Sequence, residues 1–358
     1  MSFFRSQELF VIAGPCSAET REQVMETAQA LSGTNIQLFR AGVWKPRTRP
    51  GSFEGNGRMA LEWLRDVKTI YNLPIGVEVA EPGHIALALE FGIDAIWIGA
   101  RTTVNPFQVQ HLADSLKGVN IPVLVKNPVN PDADLWQGAI ERFEKAGITD
   151  VAAIHRGFSG YSAANGYRNQ PNWPVPIELK RRRGDLAIIC DPSHITGNRN
   201  RIAAVAQKAM DMRFDGLMIE THPRPDEAWS DAAQQVTPAE LKNILSNLVI
   251  RHEFTSDMNS QVQLEHIRQL MDSVDAEIID LIARRMELSE RIGKIKSDHN
   301  MTAYQPGRWR EIVDITSARA EMHHIPASFI ISLYEQIHHE SIRRQLSILQ
   351  EQGKKAEK

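Results

Sequence analysis

PVLVKNPVNPDADLWQGAIERFEKAGITDVAAIHRG (122–157) carries the pattern that decides the fold. Its ends, PVLVKN (122–127) and DVAAIHRG (150–157), are short apolar runs rich in β-branched residues, and the stretch 133–145 between them has helical composition. Apolar strands buried on both faces and joined by a helix make a parallel βαβ unit. Outward from it the same alternation repeats. Strand-like runs LFVIAGPCS (9–17), IQLFRAG (36–42), PIGVEV (74–79) and AIWIGA (95–100) precede it, and LAIICDPSH (186–194) and GLMIETH (216–222) follow. Helical segments at 20–31, 57–71, 84–91, 107–116, 177–183, 199–212 and 238–248 separate them. Eight such units in about 250 residues predict a closed (β/α)8 TIM barrel, with an open doubly wound sheet as the alternative.

After residue 248 the pattern changes. RHEFTSDMNS (251–260) is polar and aperiodic, a linker between a barrel at 1–250 and a second, all-α domain at 261–350. The first helix of that domain, 261–297, carries Ile267, Leu270, Met271, Val274, Ile278, Leu281 and Ile282 at three- and four-residue spacings. At 1.5 Å per residue it forms a rod of about 55 Å, longer than a globule of about 100 residues is wide, so it needs a partner chain. Pro306 opens a second helix, Ile325-Pro326 separates off a third that ends near 349, and 351–358 is expected to be a disordered tail.

The 358 residues are 42% hydrophobic and 24% charged, ordinary for a chain with a buried core. A net charge of −3 argues against wholesale binding to nucleic acid or an anionic membrane. Two cysteines give no disulfide framework, and neither a signal peptide nor a membrane-spanning run is present, which predicts a cytoplasmic protein. Cys190 lies inside a strand and is expected to be core.

In barrels of this kind the site is built at the C-terminal strand ends. There the sequence places two groups. Arg40, Lys45, Arg47, Arg101, Lys126 and Arg156 come from five βα units; six converging cations suit phosphates and carboxylates. Cys16, His194, Glu220 and Asp231 come from strands one, seven and eight and the loop beyond, and strands one and eight are neighbours in a closed barrel. A thiolate, an imidazole and two carboxylates suit Mn²⁺, Fe²⁺, Co²⁺ or Zn²⁺. From spacing alone, a core cysteine, a capping histidine and two solvent acids remain the simpler account.

Motif context changes that balance. GPCSAE (14–19), FRAGVWKPRTRPGSFEGNG (39–57), IGARTT (98–103), KNP (126–128), HRG (155–157), DPSH (191–194), ETHP (220–223) and SDAAQQ (230–235) resemble, in this order, the 3-deoxy-D-arabino-heptulosonate 7-phosphate (DAHP) synthases of the short microbial, type Iβ-like kind. The resemblance implies condensation of phosphoenolpyruvate with erythrose 4-phosphate. It assigns Cys16, His194, Glu220 and Asp231 to the metal, Mn²⁺ foremost, and Arg40, Lys45, Glu78, Arg101, Lys126 and Arg156 to phosphoenolpyruvate. Arg47 and Thr48 of KPRT would hold the aldose, where the sister enzymes that use arabinose 5-phosphate carry an Asn-containing string. Lys45 is the candidate proton donor. Because the chain begins almost at strand one, regulation would fall to the helical module.

In that module Arg285 and Lys296 are eleven residues apart, on one helix face, whereas Arg268, seventeen before Arg285, points about 100° away. Ser341 and Gln345 form an i, i+4 pair. Isolated helix-surface arginines are usually just solvated. However, 267–296, YQPGR (304–308) and ESIRRQ (340–345) resemble the all-helical chorismate mutases. That resemblance implies chorismate binding by Arg285, Arg308, Ser341 and a partner subunit's Arg268, with Lys296 and Gln345 on the ether oxygen, in a homodimer or higher oligomer. It also implies an acid after the arginine of the second helix, steadying the substrate hydroxyl. Here that position is Trp309, and the preceding aspartate position is Gln305; Glu311 or a neighbour would have to substitute. A bifunctional synthase–mutase, with prephenate as feedback inhibitor through the module, is the leading expectation. The alternatives are a synthase with a non-catalytic dimerising and allosteric module, and a non-enzymatic metal-binding barrel.

Overall fold

The computed structural model describes residues 3–4, 9–45, 51, 53–160, 166–251 and 254–356. Eight parallel strands close into a barrel in sequence order: β1 (Phe10–Gly14), β2 (Leu38–Ala41), β3 (Ile75–Val79), β4 (Ala95–Ile98), β5 (Val123–Lys126), β6 (Val151–His155), β7 (Ala187–Cys190) and β8 (Gly216–Glu220). All eight coincide with the apolar runs of the sequence, and the open-sheet alternative falls because β1 pairs along its whole length with β8, Gly14 opposite Glu220.

Side chains alternate between two cores, as the two-residue period of a strand requires. Phe10, Ile12, Leu38, Trp97, Leu124, Ile154, Ile189 and Met218 fill the barrel interior with Phe4. Val11, Ala13, Phe39, Val77, Ile96, Val125, Ala153, Ile188 and Ile219 face the surrounding helices. Continuing the inward row by twos gives Cys16, Arg40, Lys126, Arg156, Asp191 and Glu220. The polar site is therefore the top layer of the same rows that pack the interior.

Helix starts differ from the expected bounds by one to three residues because proline sits in the first turn: Pro82–Glu90, Pro106–Ser115 and Pro174–Arg182. Two four- to five-residue helices after β4 and β7, Ala100–Thr103 and Pro192–Thr196, are too short to leave a periodic signal.

The chain divides into two compact units, Met1–Arg251 and His252–Lys358. The second contains helices Met258–Asp298, Pro306–Met322 and Ala327–Ala356. The third runs to Ala356 instead of ending near 349, so helix replaces the expected disordered tail up to that residue. Met286, Ser289, Gly293 and Lys296 are the buried residues of the long helix. Gly293 lets the first and third helices approach closely, since a Cβ there would lie 3.2 Å from the Cα of Gln345. Leu270, Met271, Val274, Ile278 and Leu281, earlier on the long helix, are all exposed. Among the described residues no helix is long and apolar enough to cross a membrane.

Candidate active sites

At the barrel's C-terminal end, register brings the ends of β1 and β8 together. Ligand atoms of Cys16, Glu220 and Asp231 lie within 4.8 Å of one another. His194, outside that group of three, approaches Glu220 from the short helix after β7. The Asp191 side chain accepts from the His194 backbone N–H (3.1 Å) and so caps that helix, while its other oxygen lies 2.8 Å from His194 Nδ1. The ring is thereby turned so that Nε2 faces Glu220 Oε1 at 3.8 Å. The Asp191–Nδ1 contact lacks hydrogen-bond geometry, but a carboxylate beside one imidazole nitrogen while the other points at an acid is the placement that supports a metal-bound histidine. Glu220 is fully buried, and its Oε1 has no hydrogen-bond partner, although Arg40 Nη2 stands 3.2 Å away as an ion pair. Its Oε2 accepts from Gln234 Nε2 at 2.7 Å. The donor set of S, N and O atoms and the orphaned buried oxygen fit a divalent transition metal.

The electrostatics agree with that fit. Burial pushes the Cys16 thiol up to about 12, Glu220 adding to the effect while Lys45 opposes it, with Nζ 3.1 Å from Sγ. Loading a metal therefore releases a proton. Burial alone would raise Glu220 and Asp231 as well, but His194, Arg40 and Lys45 hold the first below the ordinary carboxylate range, and Arg168 and His194 the second.

Beside this cluster lies a cavity of about 280 Å³ lined by Lys45, Glu78, Arg101, Lys126, Arg156, Arg168, Asn169, His194 and Asp231. Lys45, Glu78, Arg101, Lys126 and Arg156 are placed together as expected. Arg40 is not on the wall: 2% exposed, it pairs with Glu220, donates to the Cys16 carbonyl (3.2 Å) and packs over Trp97. Arg47 and Thr48 lie outside the described residues. Lys126 is held by Asp191 (3.1 Å) and Glu78 by Trp97 Nε1 (2.8 Å). Arg156 differs from its neighbours. Burial pushes its guanidinium down to about 10 despite Asp191, the mark of a cation short of compensating charge, which an anionic ligand would supply.

Three participants were missed from sequence. Asp191 orients both His194 and Lys126. Asn169 Oδ1 accepts from Arg156 Nη1 and its Nδ2 donates to the His194 carbonyl, both at 2.7 Å, linking the anion cavity to the ligand cluster. Arg168 Nη1 bonds Asp231 (2.9 Å) and Gln234 (2.6 Å). Asp191 stands in the DPSH string as an N-cap before proline; Arg168 and Asn169 sit in a loop with no periodicity to flag them.

Residues 5–257 match the DAHP synthetase I family. The chain belongs to that family. Residues 267–346 match chorismate mutase type II, so a DAHP synthase domain is followed by a chorismate mutase domain. Phospho-2-dehydro-3-deoxyheptonate aldolase of Thermotoga maritima is 33% identical over 226 residues, 63% of this chain and 64% of the relative. The chain thus spans a little under two thirds of that relative's length. 2-Dehydro-3-deoxyphosphooctonate aldolase of Francisella tularensis subsp. holarctica is 28% identical over 257 residues, 67% of this chain and 90% of the relative. The crystal structure of the Thermotoga maritima DAHP synthase superposes with a TM-score of 0.60 at 30% identity, covering 66% of this chain and 67% of that one.

In the mutase domain a second cavity, about 400 Å³, is lined by Arg285, Ser289, Lys296, Gln305, Arg308, His338, Ser341 and Gln345, with Leu288, Ile292 and Ile312. Lys296 Nζ donates to Gln345 Oε1 (3.0 Å) and the Ala303 carbonyl (2.5 Å); Gln345 Nε2 donates to Ser289 (3.0 Å), and Arg285 to Ser341 (2.6 Å). Arg268 is outside this cavity and two-thirds exposed, with Glu265 at 3.9 Å. Glu311 pairs with Arg308 at 2.8 Å and is itself exposed.

Proposed function

We propose that the chain catalyses two reactions: condensation of phosphoenolpyruvate with erythrose 4-phosphate to DAHP and phosphate, and rearrangement of chorismate to prephenate. The observation that supports the first is the cation-lined cavity that has His194 on its wall and shares Asp231 with the Cys16–Glu220–Asp231 cluster. Cys16, His194, Glu220 and Asp231 would hold the divalent metal, Mn²⁺ ahead of Fe²⁺, Co²⁺ or Zn²⁺, which supplies Lewis-acid polarisation of the aldehyde oxygen. Arg156, Arg101 and Lys126 bind the phosphate and carboxylate of phosphoenolpyruvate. Asn169 aims Arg156, and Glu78 lies against the same ligand. Arg40 acts from beneath, neutralising Glu220 rather than touching substrate. C3 of the enol phosphate bonds to the aldehyde carbon, water adds at C2, and phosphate leaves C2. Lys45 Nζ gives a proton to the aldose oxygen, and Arg47 and Thr48 hold the aldose phosphate.

For the second reaction the supporting observation is one cavity holding Arg285, Arg308, Lys296 and Gln345. The arginines and Ser341 take the carboxylates, while Lys296 and Gln345 meet charge developing on the ether oxygen as its C–O bond breaks. Arg268 completes the site from a second subunit, in a homodimer built on the exposed apolar face of the long helix. Prephenate occupying this cavity is the proposed feedback inhibitor of the barrel, and the cytoplasm the proposed location. The test of the mutase is chorismate consumption: Lys296→Ala and Gln345→Ala each lower turnover by about a hundredfold or more, the loss of one pre-aimed donor to a developing oxyanion. Unchanged turnover in both would leave a non-catalytic, regulatory module. For the inhibitor, Arg285→Ala relieves prephenate inhibition of condensation, and retained inhibition refutes its placement.

A further inference from the structure

Neither acidic position that the mutase resemblance implies carries an acid here: Trp309 stands where the acid steadying the substrate hydroxyl is expected, and Gln305 at the preceding aspartate position. Glu311 does not replace them, being turned outward onto Arg308. Trp309 lines a neighbouring apolar hollow together with Tyr304, Glu335, His339 and Ile342; Ile342 and His338 also line the substrate cavity, and of these two His338 is the polar one. Its imidazole stacks on Trp309 with ring centres 4.5 Å apart and planes 24° from parallel, and Tyr304 meets it edge-on at 6.1 Å. The order from the cavity outward is therefore ligand space, His338, Trp309. The indole does not line that cavity; it backs the imidazole ring.

Two further facts define what that ring can do. His338 Nε2 is buried and, among the described residues, has no hydrogen-bond partner, a costly condition for a ring nitrogen. Burial, with the charges of Arg285 and Lys296, also holds the imidazole below its ordinary range and hence neutral near pH 7. A neutral imidazole offers one donor and one acceptor, the match for an alcohol and a poor match for a carboxylate.

Resting on the mutase reading above, we infer that His338, braced by Trp309, binds the ring hydroxyl of the ether dicarboxylate substrate in place of the missing acids. Specificity for the hydroxyl is then carried by a neutral group within an otherwise cationic pocket.

The experiment uses the full chain and two substrates: chorismate and the same ether dicarboxylate without its ring hydroxyl. Turnover of chorismate by the wild type is read first; its absence, with no chorismate binding, overturns the mutase reading itself. Given turnover, His338→Phe keeps the stack on Trp309 and removes both nitrogens. It raises KM for chorismate about tenfold, the worth of one neutral hydrogen bond, with kcat little changed, and leaves KM for the deoxy compound unaltered. His338→Asn, which restores a donor and an acceptor, recovers part of the chorismate KM. Equal losses on both substrates would mean that the ring only shapes the cavity, and unchanged KM for chorismate in His338→Phe would likewise overturn the assignment.

Discussion

Asn169→Ala is the most informative single perturbation of the barrel. The side chain is 6% exposed and makes two bonds of 2.7 Å, accepting from the Arg156 guanidinium and donating to the carbonyl of His194. A hydrogen bond to a charged group is worth about 1.5–3 kcal/mol net. Among the described residues, Arg156 would keep a 3.4 Å contact to the Gly157 carbonyl from its terminal nitrogen and would lose its aim into the cavity. That range corresponds to a fall of about ten- to a hundredfold in kcat/KM for phosphoenolpyruvate. The His194 carbonyl, left unpaired, loosens the residue that presents Nε2 to the metal cluster, and metal affinity falls by about tenfold or more. Asn169→Asp separates the two effects: a carboxylate still accepts from Arg156 but repels the His194 carbonyl, so phosphoenolpyruvate KM stays near wild type while metal affinity drops. The assay is steady-state phosphate release at varied phosphoenolpyruvate with metal saturating, paired with metal titration. Wild-type values of both quantities in Asn169→Ala would refute the view that this residue couples the two halves of the site.

Arg40→Met removes the partner of a buried carboxylate at 3.2 Å; we expect a stability loss of about 3–5 kcal/mol by chemical denaturation, and recovery of most of it in the double variant with Glu220→Gln. Gly293→Val forces a branched side chain onto the Gln345 backbone and Ile348, which should cost about 1–3 kcal/mol in the helical unit and reduce mutase turnover while condensation is kept, a split that the two assays on one preparation would display. Ile278→Asp with Val274→Asp on the exposed face of the long helix should yield monomers in sedimentation and abolish chorismate turnover, because Arg268 can no longer be supplied from a second subunit; active monomers would contradict the shared site.

The barrel was legible because its strands are uninterrupted apolar runs, and because the inward parity that buries Ile12, Leu38, Leu124, Ile154, Ile189 and Met218 leads directly to Cys16, Arg40, Lys126, Arg156, Asp191 and Glu220. Parity identifies which residues face the axis, but not what each touches there. Arg40 shares the inward row with Lys126, yet its side chain lies against Trp97 and Glu220 and not on the cavity wall, so an inward position alone does not place a residue on that wall. Arg168 and Asn169 are held by contacts to residues following β7 and β8 that are distant in sequence, and such contacts leave no local pattern. In the helical unit, the three- and four-residue spacing announced one face of the long helix. The role of His338 depends on which of two adjacent hollows each aromatic ring enters, and only packing decides that.

The central claim is tested most directly by erythrose 4-phosphate-dependent release of phosphate from phosphoenolpyruvate, measured on chelator-stripped protein before and after addition of Mn²⁺. The account predicts near-zero release by the stripped chain, restoration on adding the ion, and no restoration in Cys16→Ala with His194→Ala. Full activity in the stripped wild type, or restoration in that double variant, would contradict it.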